Sequence, residues 1–182
     1  MGHVDKGLQP LNDATLIEAT LQRLQPQVSA LVINANQNLD RYQRFGYPVV
    51  ADEIGGYAGP LAGLHAGLTH CSTPYLVCVP CDTPGFPADL VERLSEALAD
   101  AQADAAFAVT GDRNAPDLHP VFCLLKQSML PSLKDYLRND GRKFAGWLQQ
   151  QRHAQVYFDD HLAFMNINTP DELKAFTSLR RP

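Results

Sequence analysis

Within Leu76–Phe86, LVCVPCDTPGF, two chemistries compete. Cys78-x-x-Cys81 has the spacing of a redox dithiol, whereas Asp82 ends an apolar run in the way a parallel strand delivers a carboxylate to a site. Successive side chains of an extended strand alternate faces, so residues three apart point to opposite sides of a sheet. The two thiols can pair only if the backbone turns at Val79-Pro80. A redox dithiol also wants its first cysteine exposed at a helix N-terminus, where the thiol pKa falls. Cys78 instead follows Leu76 and Val77 deep in the apolar run. A zinc site from His70, Cys71, Cys78 and Cys81 lacks a second pair of ligands at knuckle spacing. The carboxylate is therefore expected to carry the chemistry and the thiols to be structural. Pro80 and Pro84 restrict the backbone on both sides of Asp82.

Other apolar runs end in a similar way. Asn34-Ala35-Asn36 follows LVI, Asp52-Glu53 follows VVA, and Thr110-Gly111-Asp112 follows FAV. In open α/β sheets a ligand lies outside the carboxyl ends of the strands. A rim of carboxylates with amides beside them suits a hard divalent cation and the hydroxyls of a sugar. The stretch GGYAGPLAGLHAG places Gly55, Gly56, Gly59, Gly63 and Gly67 around Pro60. Such a loop lets backbone N–H groups approach a ligand and leads into a helix N-terminus. It matches neither the Walker pattern nor the dinucleotide fingerprint, and close helix packing would explain the same glycines. Lys6 stands just before the first helical pattern with no strand ahead of it.

These positions need elements to hold them. Leu16, Ile17, Leu21 and Leu24 fall on one face of a helix in DATLIEATLQRLQ, with Asp13 expected as its N-cap and Pro26 closing it. VSALVINA reads as a buried parallel strand, NLDRYQRFG as a short helix, and PVVAD as another strand. PLAGLHAGLTHC predicts a helix leading into the strand YLVCVP. PADLVERLSEALADAQA predicts the clearest helix, followed by a strand AAFAV, a polar loop TGDRNAPD and a strand HPVFCLL. Helices around LPSLKDYLR and KFAGWLQQQ, the runs AQVYFD and AFMNINTP, and a helix from TPDELKAFTSL complete the chain. Strand–helix alternation with short connections predicts an α/β domain with a mainly parallel sheet flanked by helices.

A chain of 182 residues, 45% hydrophobic, can bury one good core. Its formal net charge of −5 argues against a sequence-independent nucleic-acid binder, which needs a basic face. No apolar run approaches a membrane span and no signal-like segment is seen. The four cysteines lie in or beside apolar stretches, a pattern that suits a reducing cytosol, so a cytoplasmic location is expected.

Taken together, Met1-Gly2-x-x-Asp5-Lys6-Gly7-Leu8, Asn34-Ala35-Asn36, Asp52, Gly59-Pro60-Leu61-Ala62-Gly63, Pro80-Cys81-Asp82-Thr83-Pro84, His119-Pro120 and Asn166-x-Asn168-Thr169-Pro170 resemble one family. It is the molybdenum cofactor guanylyltransferases, nucleotidyltransferases with a Rossmann-like domain. The resemblance keeps its order from the first residue to the last helix. GPLAG with PCDTP resembles the guanylyltransferases more than the related cytidylyltransferases. That family opens with a strand and a Leu-Ala-Gly-Gly loop, then a basic stretch ending in Arg-Met-Gly, and this sequence begins at that methionine. The resemblance thus predicts a single nucleotidyltransferase domain over residues 1–182, N-terminally truncated relative to the family by roughly 15 to 20 residues. Losing that strand would leave a gap or an exposed edge in the sheet.

The resemblance implies transfer of the guanylyl group of GTP to molybdenum-bearing molybdopterin, with Mg2+ as cofactor. It implies catalytic roles for Lys6 and Asp82 and a metal at Asp82. Nucleotide binding falls to Lys6, Asn34, Asp52, Gly59, Pro60, Leu61 and Asp82. On the pterin side it points to His119, Asn166 and Asn168, with Arg142 and Lys143 as looser candidates for the acceptor phosphate. Other cofactor-biosynthesis proteins and apo-molybdoenzymes are the partners it suggests. Two alternatives stay open: a related cytidylyl- or sugar-nucleotide transferase, and a non-catalytic module that binds the pterin cofactor.

Overall fold

A computed structural model describes residues 5–55, 59–167 and 172 of the chain. Lys6–Leu8 forms a single 3-10 turn. Strands β1 (Pro10–Leu11) and β2 (Ala14–Thr15) then pair antiparallel and lead into helix α1 (Leu16–Leu24). The cap of α1 is Thr15, not Asp13. Its hydroxyl accepts from Glu18 N while the Glu18 carboxylate accepts from Thr15 N at 2.7 Å. A reciprocal pair satisfies two donors that the first helical turn leaves open, where Asp13 would satisfy one. Leu16, Ile17, Leu21 and Leu24 are all buried, as the apolar spacing predicts.

Strands β3 (Ile33–Asn34) and β4 (Val49–Val50) form a parallel pair, with Ile33 opposite Val49, around helix α2 (Leu39–Gln43). The larger sheet comprises β5 (Tyr75–Cys78), β6 (Ala105–Asp112), β7 (Ala115–Lys126) and β8 (His153–Tyr157) in the order β5-β7-β6-β8. Between its strands lie α4 (Leu90–Asp100), α5 (Leu130–Arg138) and α6 (Phe144–Leu148), while α3 (Pro60–His70) precedes β5. Helix α2 crosses between β3 and β4, which pair parallel, and β8, reached through α5 and α6, adds to the free edge of β6 parallel to it. Only Arg113 and Asn114 separate β6 from β7, and so short a connection forces β7 antiparallel to β6. β7 also runs antiparallel to β5, which makes this sheet mixed within an α/β fold. Gly111, at φ +80°, supplies the left-handed backbone just before the turn.

TGDRNAPD, read as a loop, is thus the outer end of a long hairpin. Asp112 pairs with Ala115 at its tip, five residues beyond Phe107, which lies level with Cys78 across Cys123 of β7. The two faces of β6 explain its unbroken apolar run. Ala105, Phe107 and Val109 pack against Leu61, Leu64 and Leu68 of α3, Leu133 of α5 and Trp147 of α6. Ala106 and Ala108 pack on the other face against Leu90, Leu94 and Leu98 of α4, with Phe86, Phe122 and Phe164. Each large side chain buried in this way stabilises by about 1.5–3 kcal/mol.

A third cluster joins Leu8, Ile17, Leu21, Ile33 and Tyr42, with Cys81 against it. Among the described residues β3 pairs with β4 alone and β5 with β7 alone. Helix α3 spans both sheets through its small residues. A Cβ on Gly63 would stand 2.5 Å from Asn34 Oδ1, and one on Gly67 3.1 Å from Leu76 Cδ2. No described helix is long and apolar enough to cross a membrane.

Candidate active site

The 3-10 turn at Lys6 and the loop after β5 meet although 76 residues separate them. Lys6 Nζ lies 3.4 Å from Asp82 Oδ2. The Asp82 side chain is 16% exposed and that of Lys6 is 49% exposed, so the carboxylate is more enclosed than a fully wet strand end. A half-exposed ion pair at that separation contributes at most about 1 kcal/mol to stability. Its worth lies in where it holds two opposite charges.

The loop carrying Asp82 is tied on three sides. Thr20 Oγ1 of α1 donates to Cys81 O at 3.3 Å. Ile167 N donates to Asp82 O at 2.7 Å. Thr83, fully buried, donates its hydroxyl to Asn166 Oδ1 at 2.8 Å and makes a longer 3.4 Å contact with Asp82 Oδ1. Asp82 is therefore fixed through its backbone, and its carboxylate keeps acceptor capacity.

A second polar group forms where β3 and β4 end. Asp52 Oδ1 accepts from Asn34 Nδ2 at 2.9 Å, and Oδ2 accepts from Asn36 Nδ2 at 2.7 Å. Asn36 also accepts from Asp52 N at 2.8 Å, so it grips both the backbone and the side chain of Asp52. Helix α3 closes on this group through Gly63. At the entrance of α3, Gly59 adopts φ +56° and ψ −143°, a conformation that residues with a Cβ avoid, and Pro60 occupies the first turn. Leu61 is wholly buried in the core, whereas Gly59 and Pro60 before it are exposed.

The remaining candidates lie on the side of the C-terminal segment. His119 Nε2 is 2.9 Å from Thr110 Oγ1, and the imidazole stacks on Phe164 with ring centroids 4.8 Å apart. Burial lowers the His119 pKa, which favours the neutral ring. Phe164 lies two residues before Asn166, so one short segment connects the His119 platform to the Thr83 hydroxyl. Asn168 lies outside the described residues.

Residues 1–156 match the model of the MobA-like NTP transferase domain. Over 175 residues the chain is 50% identical to the molybdenum cofactor guanylyltransferase of Cupriavidus necator, which spans 96% of this chain and 88% of that relative. The chain belongs to the molybdenum cofactor guanylyltransferase family. The corresponding protein of Bordetella pertussis is 48% identical over 178 residues, 98% of this chain and 90% of its own length. Among solved structures, the fold is similar to molybdopterin-guanine dinucleotide biosynthesis protein A from Archaeoglobus fulgidus. The TM-score is 0.75 at 23% identity, covering 97% of this chain and 90% of that one. It is also similar to 2-C-methyl-D-erythritol 4-phosphate cytidylyltransferase from Francisella tularensis, with a TM-score of 0.77 at 13% identity over 96% and 93% of the two chains.

As a guanylyltransferase family member, the chain is a nucleotidyltransferase enzyme, and its thiols can be weighed against that chemistry. Cys78 packs toward the core under α3 and sits directly opposite Cys123 in the β5–β7 ladder. Cys81 packs with Leu8 and Tyr42 in the separate cluster under α1. Burial pushes the Cys78 thiol up to about 12 and that of Cys81 to about 11, well away from the range of a reactive thiolate. Arg142 donates to Leu137 O and Gly141 O at the C-terminal end of α5. Its guanidinium thus has a structural task there.

Sequence reasoning did not assign Asp5, Asn38 or Tyr42, which form a bonded group beneath Lys6, or the buried Thr83 hydroxyl. Asp5 and Thr83 sit beside assigned residues, but nothing in the spacing marks Tyr42 as their neighbour.

Proposed function

We propose that the chain transfers GMP from GTP to molybdenum-bearing molybdopterin, releasing pyrophosphate and forming molybdopterin guanine dinucleotide. The juxtaposition of Lys6 with Asp82 carries this reading: it places a cation and a carboxylate together on the rim of a guanylyltransferase-family fold. The acceptor phosphate oxygen attacks the α-phosphorus of GTP in line, the new P–O bond forms, and the bond to the β-phosphate oxygen breaks. An already anionic acceptor needs no covalent enzyme nucleophile, so positioning and charge stabilisation supply the catalysis.

Asp82 would hold Mg2+, and its donor set fits. It offers hard carboxylate oxygens that, among the described residues, meet the Lys6 ammonium and the Thr83 hydroxyl, both at 3.4 Å. Magnesium takes one or two such carboxylates and fills its shell with phosphate oxygens and water. When bound, it neutralises charge on the phosphates.

Lys6 binds the phosphates as a point charge that can follow the moving oxygens. Asp52, oriented by Asn34 and Asn36, suits the sugar hydroxyls as an acceptor. Gly59, Pro60 and Leu61 are assigned to the guanine side, where backbone carbonyls of this loop would accept from N1–H and the exocyclic amine. His119, Asn166 and Asn168 are assigned to the pterin side, where a neutral imidazole on Phe164 offers a flat polar edge. A cytoplasmic location agrees with four free thiols.

Thermal unfolding with nucleotide and Mg2+ tests the reading. GTP at about a hundred times its Kd is expected to stabilise the protein by about 2.7 kcal/mol, with CTP giving far less. Stronger protection by CTP would reassign the chain to the cytidylyltransferases. Protection by molybdopterin without any by GTP would favour the non-catalytic binding module.

A further inference from the structure

We propose that Asp5 is a positioning residue that holds Lys6 in its phosphate-binding place, with Tyr42 and Asn38 as its anchors. Asp5 precedes the 3-10 turn that carries Lys6, and its own backbone oxygen accepts from Leu8 N at 3.3 Å, closing that turn. Its carboxylate accepts two side-chain hydrogen bonds. Oδ1 accepts from the Tyr42 hydroxyl at 2.6 Å, and Oδ2 accepts from Asn38 Nδ2 at 2.9 Å. Both anchors belong to α2 and its cap, and Asn38 is held at φ +53°, a conformation asparagine tolerates better than most residues.

Tyr42 is 5% exposed and packs in the cluster with Leu8, Ile33 and Cys81. It therefore offers a rigid post and not a mobile surface contact. Burial and the Asp5 carboxylate raise the Tyr42 pKa far above neutrality, so the phenol stays a donor. Gly7 completes the fit. A Cβ there would stand 2.5 Å from the Tyr42 hydroxyl and 3.3 Å from Cys81 Sγ, so the backbone beside Lys6 lies directly on the post.

The consequence concerns Lys6. A lysine side chain has four rotatable bonds and gains little from an exposed ion pair, so the placement of its Cα decides where its charge can reach. Two hydrogen bonds to one carboxylate, one of them from a buried phenol, fix that Cα relative to α2 and to Cys81, the neighbour of Asp82. Hydrogen bonds to a charged acceptor are stronger than neutral ones, and two of them hold this short turn in place.

This inference rests on the reading of Lys6 as a phosphate ligand, and a double-mutant cycle separates the two. GTP affinity is measured by titration in Mg2+ for the unaltered chain, Lys6→Gln, Asp5→Asn and the double variant, with Tyr42→Phe as a milder probe that removes one hydrogen bond. The expected result is roughly tenfold weaker GTP binding in Lys6→Gln, a similar loss in Asp5→Asn, a smaller loss in Tyr42→Phe, and no further loss in the double variant. Guanosine, which has no phosphate, should bind all of them alike. Additive losses in the double variant, or GTP binding unchanged in both Asp5→Asn and Tyr42→Phe while Lys6→Gln is impaired, would overturn the positioning role and leave the reading of Lys6 intact. GTP binding unchanged in Lys6→Gln would overturn the reading of Lys6 and, with it, this proposal. If Asp5→Asn fails to fold, the same cycle with Tyr42→Phe decides.

Discussion

Replacing Asp82 with asparagine is expected to lower guanylyl transfer by roughly a hundredfold or more while the protein still folds, in line with losing one main stabiliser of transition-state charge. The substitution keeps size and most hydrogen-bonding capacity but removes the charge that would ligate magnesium. Magnesium holds its waters tightly and accepts few protein carboxylates, so the loss of one is severe. Folding should persist because the structural ties of this loop pass elsewhere. Ile167 N bonds to the Asp82 carbonyl, Thr20 to the Cys81 carbonyl, and Thr83 to Asn166, and none of these uses the carboxylate. Asp112 is the matched control. It is also a carboxylate in the polar stretch after an apolar run, but it stands at the hairpin tip and accepts from Asn114 N at 2.7 Å. Asp112→Asn should turn over normally. Near-normal transfer in Asp82→Asn, or an equal loss in Asp112→Asn, would place the metal on another residue.

The second large effect is expected at Lys6. Lys6→Ala should lower transfer by roughly a hundredfold, because in the proposed role it removes the charge that would meet the phosphates as they accumulate negative charge. Its effect on unfolding should be small. The ammonium is half exposed and its ion pair with Asp82 is long, so stability should change by no more than about 1 kcal/mol. Lys6→Arg separates charge from shape. The guanidinium keeps the charge but spreads it over a planar fork that does not follow a single moving oxygen, so this variant should stay at least about tenfold impaired. Full activity in Lys6→Ala, measured as pyrophosphate release under saturating GTP, would remove Lys6 from the chemistry.

Much of the fold could be read from apolar periodicity, and the exceptions have physical causes. Helices α1 and α4 each bury one continuous face, which leaves a clear pattern in sequence, and α3 is apolar almost all round because it is buried almost all round. The hairpin arm did not, because the outer ends of β6 and β7 are exposed on both sides and carry Asp112, Arg113, Asn114 and Asp117, a composition typical of loops. The long apolar run VSALVINA yields only Ile33 and Asn34 as paired strand, since β4 offers two partners and no more. Asp13 lost the cap of α1 to Thr15 because Glu18 stands three residues on, a capping box visible in hindsight.

Within the candidate site, strand ends pointed to Asn34, Asp52 and Asp82, since a carboxylate after an apolar run marks the rim of an α/β sheet. The family resemblance named Lys6 and Asp82 separately and did not foresee their pairing, because a contact across 76 residues leaves no trace in local spacing. The support beneath Lys6 was not legible at all. Tyr42 reads as one more apolar residue of a short helix until its hydroxyl is seen on Asp5.

The most direct measurement follows the α-phosphate. The chain is incubated with Mg2+, molybdenum-bearing molybdopterin and GTP labelled at its α-phosphorus, with α-labelled CTP in a parallel reaction. The account predicts label from GTP in a pterin guanine dinucleotide, with unlabelled pyrophosphate released in equal amount and little product from CTP. Label transferred from CTP in preference, or GTP consumed with no label in the pterin product, would contradict it.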